Sequence, residues 1–123
     1  MTDKKLTETE LKLAKVIWDN EPLASRELVK LCENEFSWKK STTYTMLKKL
    51  IEKEIAENKN SVVKSIISEE DFYSIQSVNA VEENFKGSLP KFLTAFSRRK
   101  KLSSYEIKEI QKMIDEFKED IDE

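Results

Sequence analysis

Histidine is missing from the sequence altogether. With it go the usual general base and the commonest metal ligand, so neither a Ser-His-Asp nor a Cys-His site is available to this chain. The carboxylates are plentiful but scattered over polar helix faces, where solvation accounts for them, and no constellation supports an enzyme. The one cysteine, Cys32, has no partner for an internal disulfide. It falls in an apolar helical pattern, which makes it a small core residue rather than a reactive thiol. One glycine and two prolines leave little material for the turns of an all-β fold or for long flexible linkers. The longest stretch free of charge, Phe72 to Val81, is too short to span a bilayer, and the N-terminal "MTDKKLTETE" lacks the apolar segment of a signal peptide. These absences point to a cytoplasmic, mainly helical protein that needs no cofactor and no metal.

What is present is charge, unevenly placed. The 123 residues carry a net charge of −2, which by itself says nothing for nucleic acid. Residues 37–64, however, hold 7 Lys against 3 Glu, a local excess of +4, while the segments on either side are net acidic. At 38% hydrophobic and 37% charged, the chain has material for one modest core or two very small ones.

The first helix is announced by "LTETEL". Thr7 is an N-cap, Glu10 completes a capping box, and Leu6 and Leu11 form a hydrophobic staple. Leu11, Ala14, Ile17 and Trp18 then make an apolar stripe that stops before Asn20-Glu21-Pro22. Pro22-Leu23-Ala24 reads as a short extended link. Ser25 reads as the cap of a second helix with Leu28, Leu31 and Cys32 inward, ending near Glu35, with Phe36 and Trp38 in the turn that follows. A third helix is expected from about Lys40 to Lys53. The period then changes: Ile55 to Asn58, a polar Lys59-Asn60-Ser61 turn, and Val62 to Ile67 read as a β-hairpin. Ser68 with Asp71 starts a fourth helix, with Phe72, Ile75, Val78, Val81 and Phe85 inward, that ends at Gly87. Ser88 caps a short fifth helix. After the basic run Arg98-Arg99-Lys100-Lys101, the capping box of Ser103 and Glu106 starts a sixth. Three helices followed by a hairpin make a winged helix-turn-helix. The expected fold is therefore mainly α with a small β-hairpin: a winged-helix DNA-binding domain over residues 1–67 and a three-helix dimerisation domain over residues 68–123.

The third helix opens on "KKSTTYT", a composition that is poor for helix formation. At ~100° per residue, Thr43 falls among Met46, Leu47, Leu50 and Ile51 and is expected to pack inward. Ser41, Thr45, Lys48 and Glu52 point away; Thr42 and Lys49 flank one side and Tyr44 the other. Such a face suits a helix entering the DNA major groove, where short hydroxyls meet base edges and a threonine methyl can touch a thymine methyl. Ser41, Thr42, Tyr44 and Thr45 are the candidate base readers. Lys39, Lys40, Lys48 and Lys49 are candidates for the phosphate backbone. Lys59, Asn60 and Lys64 at the hairpin are candidates for an adjacent groove or phosphate. Ser41 is equally a plain N-cap, and a winged helix can also serve as a protein-interaction module that never touches DNA.

Three stretches resemble the penicillinase repressor family, which includes β-lactamase, methicillin-resistance and copper-transport repressors. "LTETELKLAKVIWDNEPLASRELV" resembles its first two helices. "WKKSTTYTMLKKLIEKEIAE" matches its helix-three pattern at Trp38, Thr42, Thr45, Leu47, Leu50, Lys53 and Ile55, with Lys49 and Glu54 where the family usually has Arg and Gly. "FLTAFSRRKKLSSYEIKEIQKMI" resembles its C-terminal pattern. The resemblance implies a homodimeric repressor on a two-fold symmetric operator of a β-lactam-resistance or related operon. It also implies release by proteolysis or another signal, a membrane sensor protease being one partner and the Ala95–Phe96 bond the aligned cleavage site. The copper-responsive branch has a C-terminal cluster of cysteines that this chain lacks, so copper or zinc sensing is not expected.

A dimer is also suggested without the resemblance. Ile107, Ile110, Ile114, Phe117 and Ile121 form a 3-4-3-4 seam, and Leu89, Phe92, Leu93 and Phe96 on the short preceding helix cover it only in part. A partner subunit completes it, unless an intrachain three-helix core does.

Overall fold

The computed structural model describes residues 4–121. They form six helices and three short strands: α1 (Glu8–Asn20), β1 (Leu23–Ala24), α2 (Ser25–Phe36), α3 (Lys40–Glu52), β2 (Ala56–Lys59), β3 (Val62–Ser65), α4 (Glu69–Phe85), α5 (Leu89–Arg99) and α6 (Ser104–Ile121). The chain divides into two compact units, Met1–Asn79 and Ala80–Glu123.

The N-terminal unit is a winged helix-turn-helix. α1 begins with the capping box read from the sequence: the Glu10 amide donates to Thr7 Oγ1 at 3.1 Å, and the Thr7 amide donates to Glu10 Oε1 at 2.8 Å. α2 ends in left-handed Ser37 (φ 58), and the Phe36 and Trp38 rings pack at a 40° tilt, 4.9 Å between centroids, across the turn into α3. α3 is held by packing rather than by propensity. Thr43, Leu47 and Leu50 are buried against Leu13 and Ile17 of α1 and Leu28 and Cys32 of α2, each large side chain contributing about 1.5–3 kcal/mol. Burial pushes the Cys32 thiol above its ordinary pKa, and the neighbouring Thr43 hydroxyl offsets this only in part, in keeping with a core role.

Leu23 and Ala24, expected as a bare link, form a strand. They pair antiparallel with Val63 and Val62, so the hairpin becomes a three-stranded sheet in the order β1-β3-β2. That pairing also alters the start of α2. Ala24 is the N-cap, with no side-chain bond, and Ser25 is the first helical residue rather than the cap. The Ser25 amide donates instead to the Ser61 carbonyl at 2.9 Å, a bond across the sheet that replaces local capping. Phe36, expected in the turn, closes the helix. The wing turn is Asn60-Ser61 alone, both left-handed (φ 53 and 62), between the paired residues Lys59 and Val62. Two consecutive positive φ values mark a type I′ hairpin made without glycine.

The N-terminal unit runs on past the expected boundary at 67/68 into the first half of α4. Phe72 is buried there, its ring 5.5 Å from that of Trp18, and Trp18 Nε1 donates to the Ile67 carbonyl at 3.0 Å. Trp18 thus ties the end of α1 to the end of the sheet and to α4.

In the C-terminal unit, Gly87 (φ 78) closes α4 by donating its amide to the Val81 carbonyl at 3.1 Å, and Ser88 caps α5. Ser103 and Glu106 exchange both capping-box bonds at 3.0 Å to start α6. Phe85 meets Phe92 edge-on at 5.6 Å. Beyond this, α5 and α6 bury no residue at all. Leu89 is 62% exposed, Phe117 55% and Ile121 80%. The intrachain three-helix core is therefore not formed: the apolar seam is present and uncovered.

Candidate nucleic-acid interface

The helix-turn-helix leaves one face of α3 open. Ser41, Thr45, Lys48 and Lys49 are exposed along it, and Lys39 and Lys40 are exposed at its start. Thr43 is fully buried. Its hydroxyl makes no well-formed hydrogen bond and has only the weakly interacting Cys32 thiol beside it, which leaves packing of its methyl and volume as its main contribution. Thr42 is half-buried. So is Tyr44, whose hydroxyl donates to Ser25 Oγ at 3.4 Å. Tyr44 thus presents a ring edge that is fixed against α2, whereas Thr42 and Thr45 present short side chains.

Lys39 is the N-cap of α3 and makes no side-chain cap bond; Ser41, a candidate cap on sequence, lies inside the first turn and does not cap. No acidic residue occupies that turn, in contrast to α1, α2, α4 and α6. The unsatisfied first amides, the helix dipole and two lysines therefore act together to favour a negatively charged group.

The wing is less positive than its lysines suggest. Lys59 and Lys64 are exposed with Asn60, yet both ammonium groups lie beside the Glu57 carboxylate, at 3.8 and 3.9 Å. Arg26 was not legible as part of this surface. It is exposed on the first turn of α2 and lines a shallow concavity of about 360 Å³ with Asn60, Ser61 and Val62. Only the β1–β3 pairing and the Ser25–Ser61 bond bring it beside the wing, and no local sequence pattern signals either.

Lys53, one of the motif positions, faces the other way. Its ammonium donates to buried Glu10 Oε1 at 2.7 Å and to the Lys5 carbonyl at 2.9 Å, while Lys4 Nζ donates to the Lys53 carbonyl at 3.0 Å. Burial pushes the Glu10 carboxyl up, but the bonds from Lys53 and from the Thr7 amide outweigh it and hold the pKa below its ordinary value. A depressed pKa contributes stability that is present above the unfolded-state value and is lost as pH falls through the folded-state value. Glu10→Gln is therefore expected to lose about 1.5–3 kcal/mol at neutral pH, the worth of a hydrogen bond to a charged group. Its stability should also fall less steeply into the acid range than the parent's, as read by urea unfolding across that range.

A family model described as penicillinase repressor matches residues 6–116. The chain belongs to the penicillinase repressor family. A penicillinase repressor from Bacillus licheniformis is 27% identical over 117 residues, covering 92% of this chain and 91% of that protein. Two solved structures resemble the chain more distantly. One is Staphylococcus aureus MarR in complex with salicylate and kanamycin, 15% identical with a TM-score of 0.45, covering 94% of this chain and 73% of that one. The other is a MarR/EmrR family transcriptional regulator from Acinetobacter sp. ADP1, 16% identical with a TM-score of 0.42, covering 95% and 77%. As a member of the penicillinase repressor family, the chain is a winged-helix transcriptional repressor and not an enzyme. In this repressor Glu54, which stands where the resemblance places glycine, adopts φ 61. A left-handed non-glycine residue costs roughly 1–2 kcal/mol, so Glu54→Gly is expected to raise the midpoint of thermal unfolding. The gain is trimmed by glycine's greater freedom in the unfolded chain and by loss of the 3.5 Å contact between the exposed Glu54 carboxylate and the buried Lys4 ammonium, which keeps its bond to the Lys53 carbonyl.

Proposed function

We propose that this repressor acts as a homodimer on a two-fold symmetric operator in double-stranded DNA. The observation that carries this reading is the open face of α3, with hydroxyls on its first turns, lysines at both ends and an uncapped, acid-free N-terminus. Ser41, Thr42, Tyr44 and Thr45 read base edges. Lys39, Lys40, Lys48 and Lys49 hold phosphates, and Arg26, Asn60, Lys59 and Lys64 extend the footprint to the wing. The exposed seam of α6 and the apolar face of α5 supply the dimer contact, an apolar surface of the kind soluble monomers rarely leave open. A two-fold pair of α3 helices spaced by about one turn of DNA, roughly 34–36 Å, calls for a palindromic site.

The relative that is named a penicillinase repressor favours a β-lactam-resistance or related operon as the target. Cleavage in α5 by a membrane sensor protease is the release step to test first: Phe96 is 39% exposed and Ala95 half-buried on that helix. No helix among the described residues is long and apolar enough to cross a membrane. Because it acts on an operator, the repressor works in the cytoplasm, beside that DNA. Footprinting on the promoter of the repressor's own operon tests the reading. A protected palindrome is the expected result. No shift of that DNA in low salt would leave a protein-interaction winged helix in its place.

A further inference from the structure

Four consecutive cations, Arg98-Arg99-Lys100-Lys101, close α5 and enter the turn after it, and DNA reading by α3 gives them no part. A complementary excess of acid lies on α6. The residues immediately before each seam position are Glu106, Glu109, Met113, Glu116 and Asp120. They run beside the seam at its own 3-4-3-4 spacing, Glu106, Met113 and Asp120 next to it and Glu109 and Glu116 about 40° further round the helix, so one flank of the apolar face carries carboxylates in two rows. The opposite flank is mixed: Lys108, Gln111, Asp115 and Lys118.

All of these charges are exposed. Among the described residues, no salt bridge within the chain involves Arg98, Arg99, Lys101, Glu109, Glu116 or Asp120. Glu106 is the exception, engaged by the Ser103 cap and near Lys100.

This pattern disfavours a contact made by α6 on α6 alone. Laid antiparallel, the acidic flanks of two copies face each other, and like charges meet along an apolar seam. Laid parallel, the acidic flank meets the mixed one, which offers Lys118 as its cation at the contact positions. The chain's densest cation cluster is the end of α5.

We infer that in the dimer the acidic flank of α6 lies against the Arg98–Lys101 end of α5 in the second copy. The inference rests on the dimer proposed above and deepens it by naming the charged contact and its two sides. The apolar seam supplies the attraction. The charge pairing selects the arrangement and penalises α6-on-α6 registers. Because the charges lie at the rim, salt screens them and the dimer loosens as ionic strength rises.

Sedimentation of the full-length chain over a concentration series tests this. Glu109→Arg/Glu116→Arg is expected to weaken the dimer at low salt by about tenfold or more, and Arg98→Glu/Arg99→Glu by a similar factor, as like-charge contacts at an interface do. The four substitutions combined are expected to return the dimer constant close to the parent's. Trp18 and Trp38 lie in the N-terminal unit, so their fluorescence reports its folding independently of the substituted helices. Unchanged dimerisation in either double variant overturns the inference. So does a combined variant no tighter than the weaker double variant, or rescue of Glu109→Arg/Glu116→Arg by Lys108→Glu/Lys118→Glu instead. A parent that sediments as a monomer at every concentration overturns the dimer itself, a separate failure.

Discussion

Ile114→Asp is expected to sediment as a monomer and to lose operator binding by about 10²- to 10⁴-fold, the factor by which linking two binding units raises affinity. Ile114 occupies the middle of the α6 seam and is 45% exposed in the single chain. An aspartate there is harmless to the monomer, because the side chain already borders solvent. In a closed seam the same carboxylate is unpaired and desolvated, at a cost of several kcal/mol. The substitution thus separates two quantities: folding of the winged helix, read by tryptophan fluorescence, stays at the parent's level while assembly collapses. A dimer that survives Ile114→Asp would take α6 out of the interface.

On α3, two substitutions are expected to act on different measurements. Lys48→Ala combined with Lys49→Ala should reduce the slope of log affinity against log salt by about 0.9 per lost phosphate contact in each half-site, and weaken all DNA sequences alike. Thr45→Ala should leave that slope unchanged and cost about 1–3 kcal/mol on the operator only, narrowing the gap to random DNA. All three side chains are exposed on the same face, Thr45 one turn nearer the helix start, so loss of packing does not confuse the comparison. A salt slope indifferent to the lysines, or a Thr45→Ala loss that is uniform over all sequences, would exchange or void the roles assigned to them.

Much of the fold was legible because its signals are local. The boxes of Thr7 with Glu10 and Ser103 with Glu106 need only three residues of spacing, and both form. The inward position of Thr43 followed from its angle relative to Leu47 and Leu50, and it is buried with them. What was not legible depends on partners far along the chain. β1 is two residues long and exists because Val62 and Val63 are there to pair with it. The same pairing removes Ser25 from its expected cap and sets Arg26 beside the wing, so one hidden strand accounts for both misreadings. Lys53 carries a cation in a basic segment, yet Glu10, distant in sequence, claims it. The seam of α6 was plain from its spacing, but whether the chain would cover it was not. That depended on α5, whose own apolar residues are too few and too exposed to do so.

Among the described residues, the buried core of the winged helix takes nothing from beyond Phe72. A break anywhere in α5 therefore spares the DNA-reading unit and removes the whole of α6. Cutting the chain there would act as a change in local concentration rather than as denaturation. Each winged helix would still recognise its half-site, but once released it would no longer be held within reach by a bound sibling. Occupancy would then fall to what one small domain achieves at its cellular concentration, and a promoter could open while every base-reading side chain remained intact.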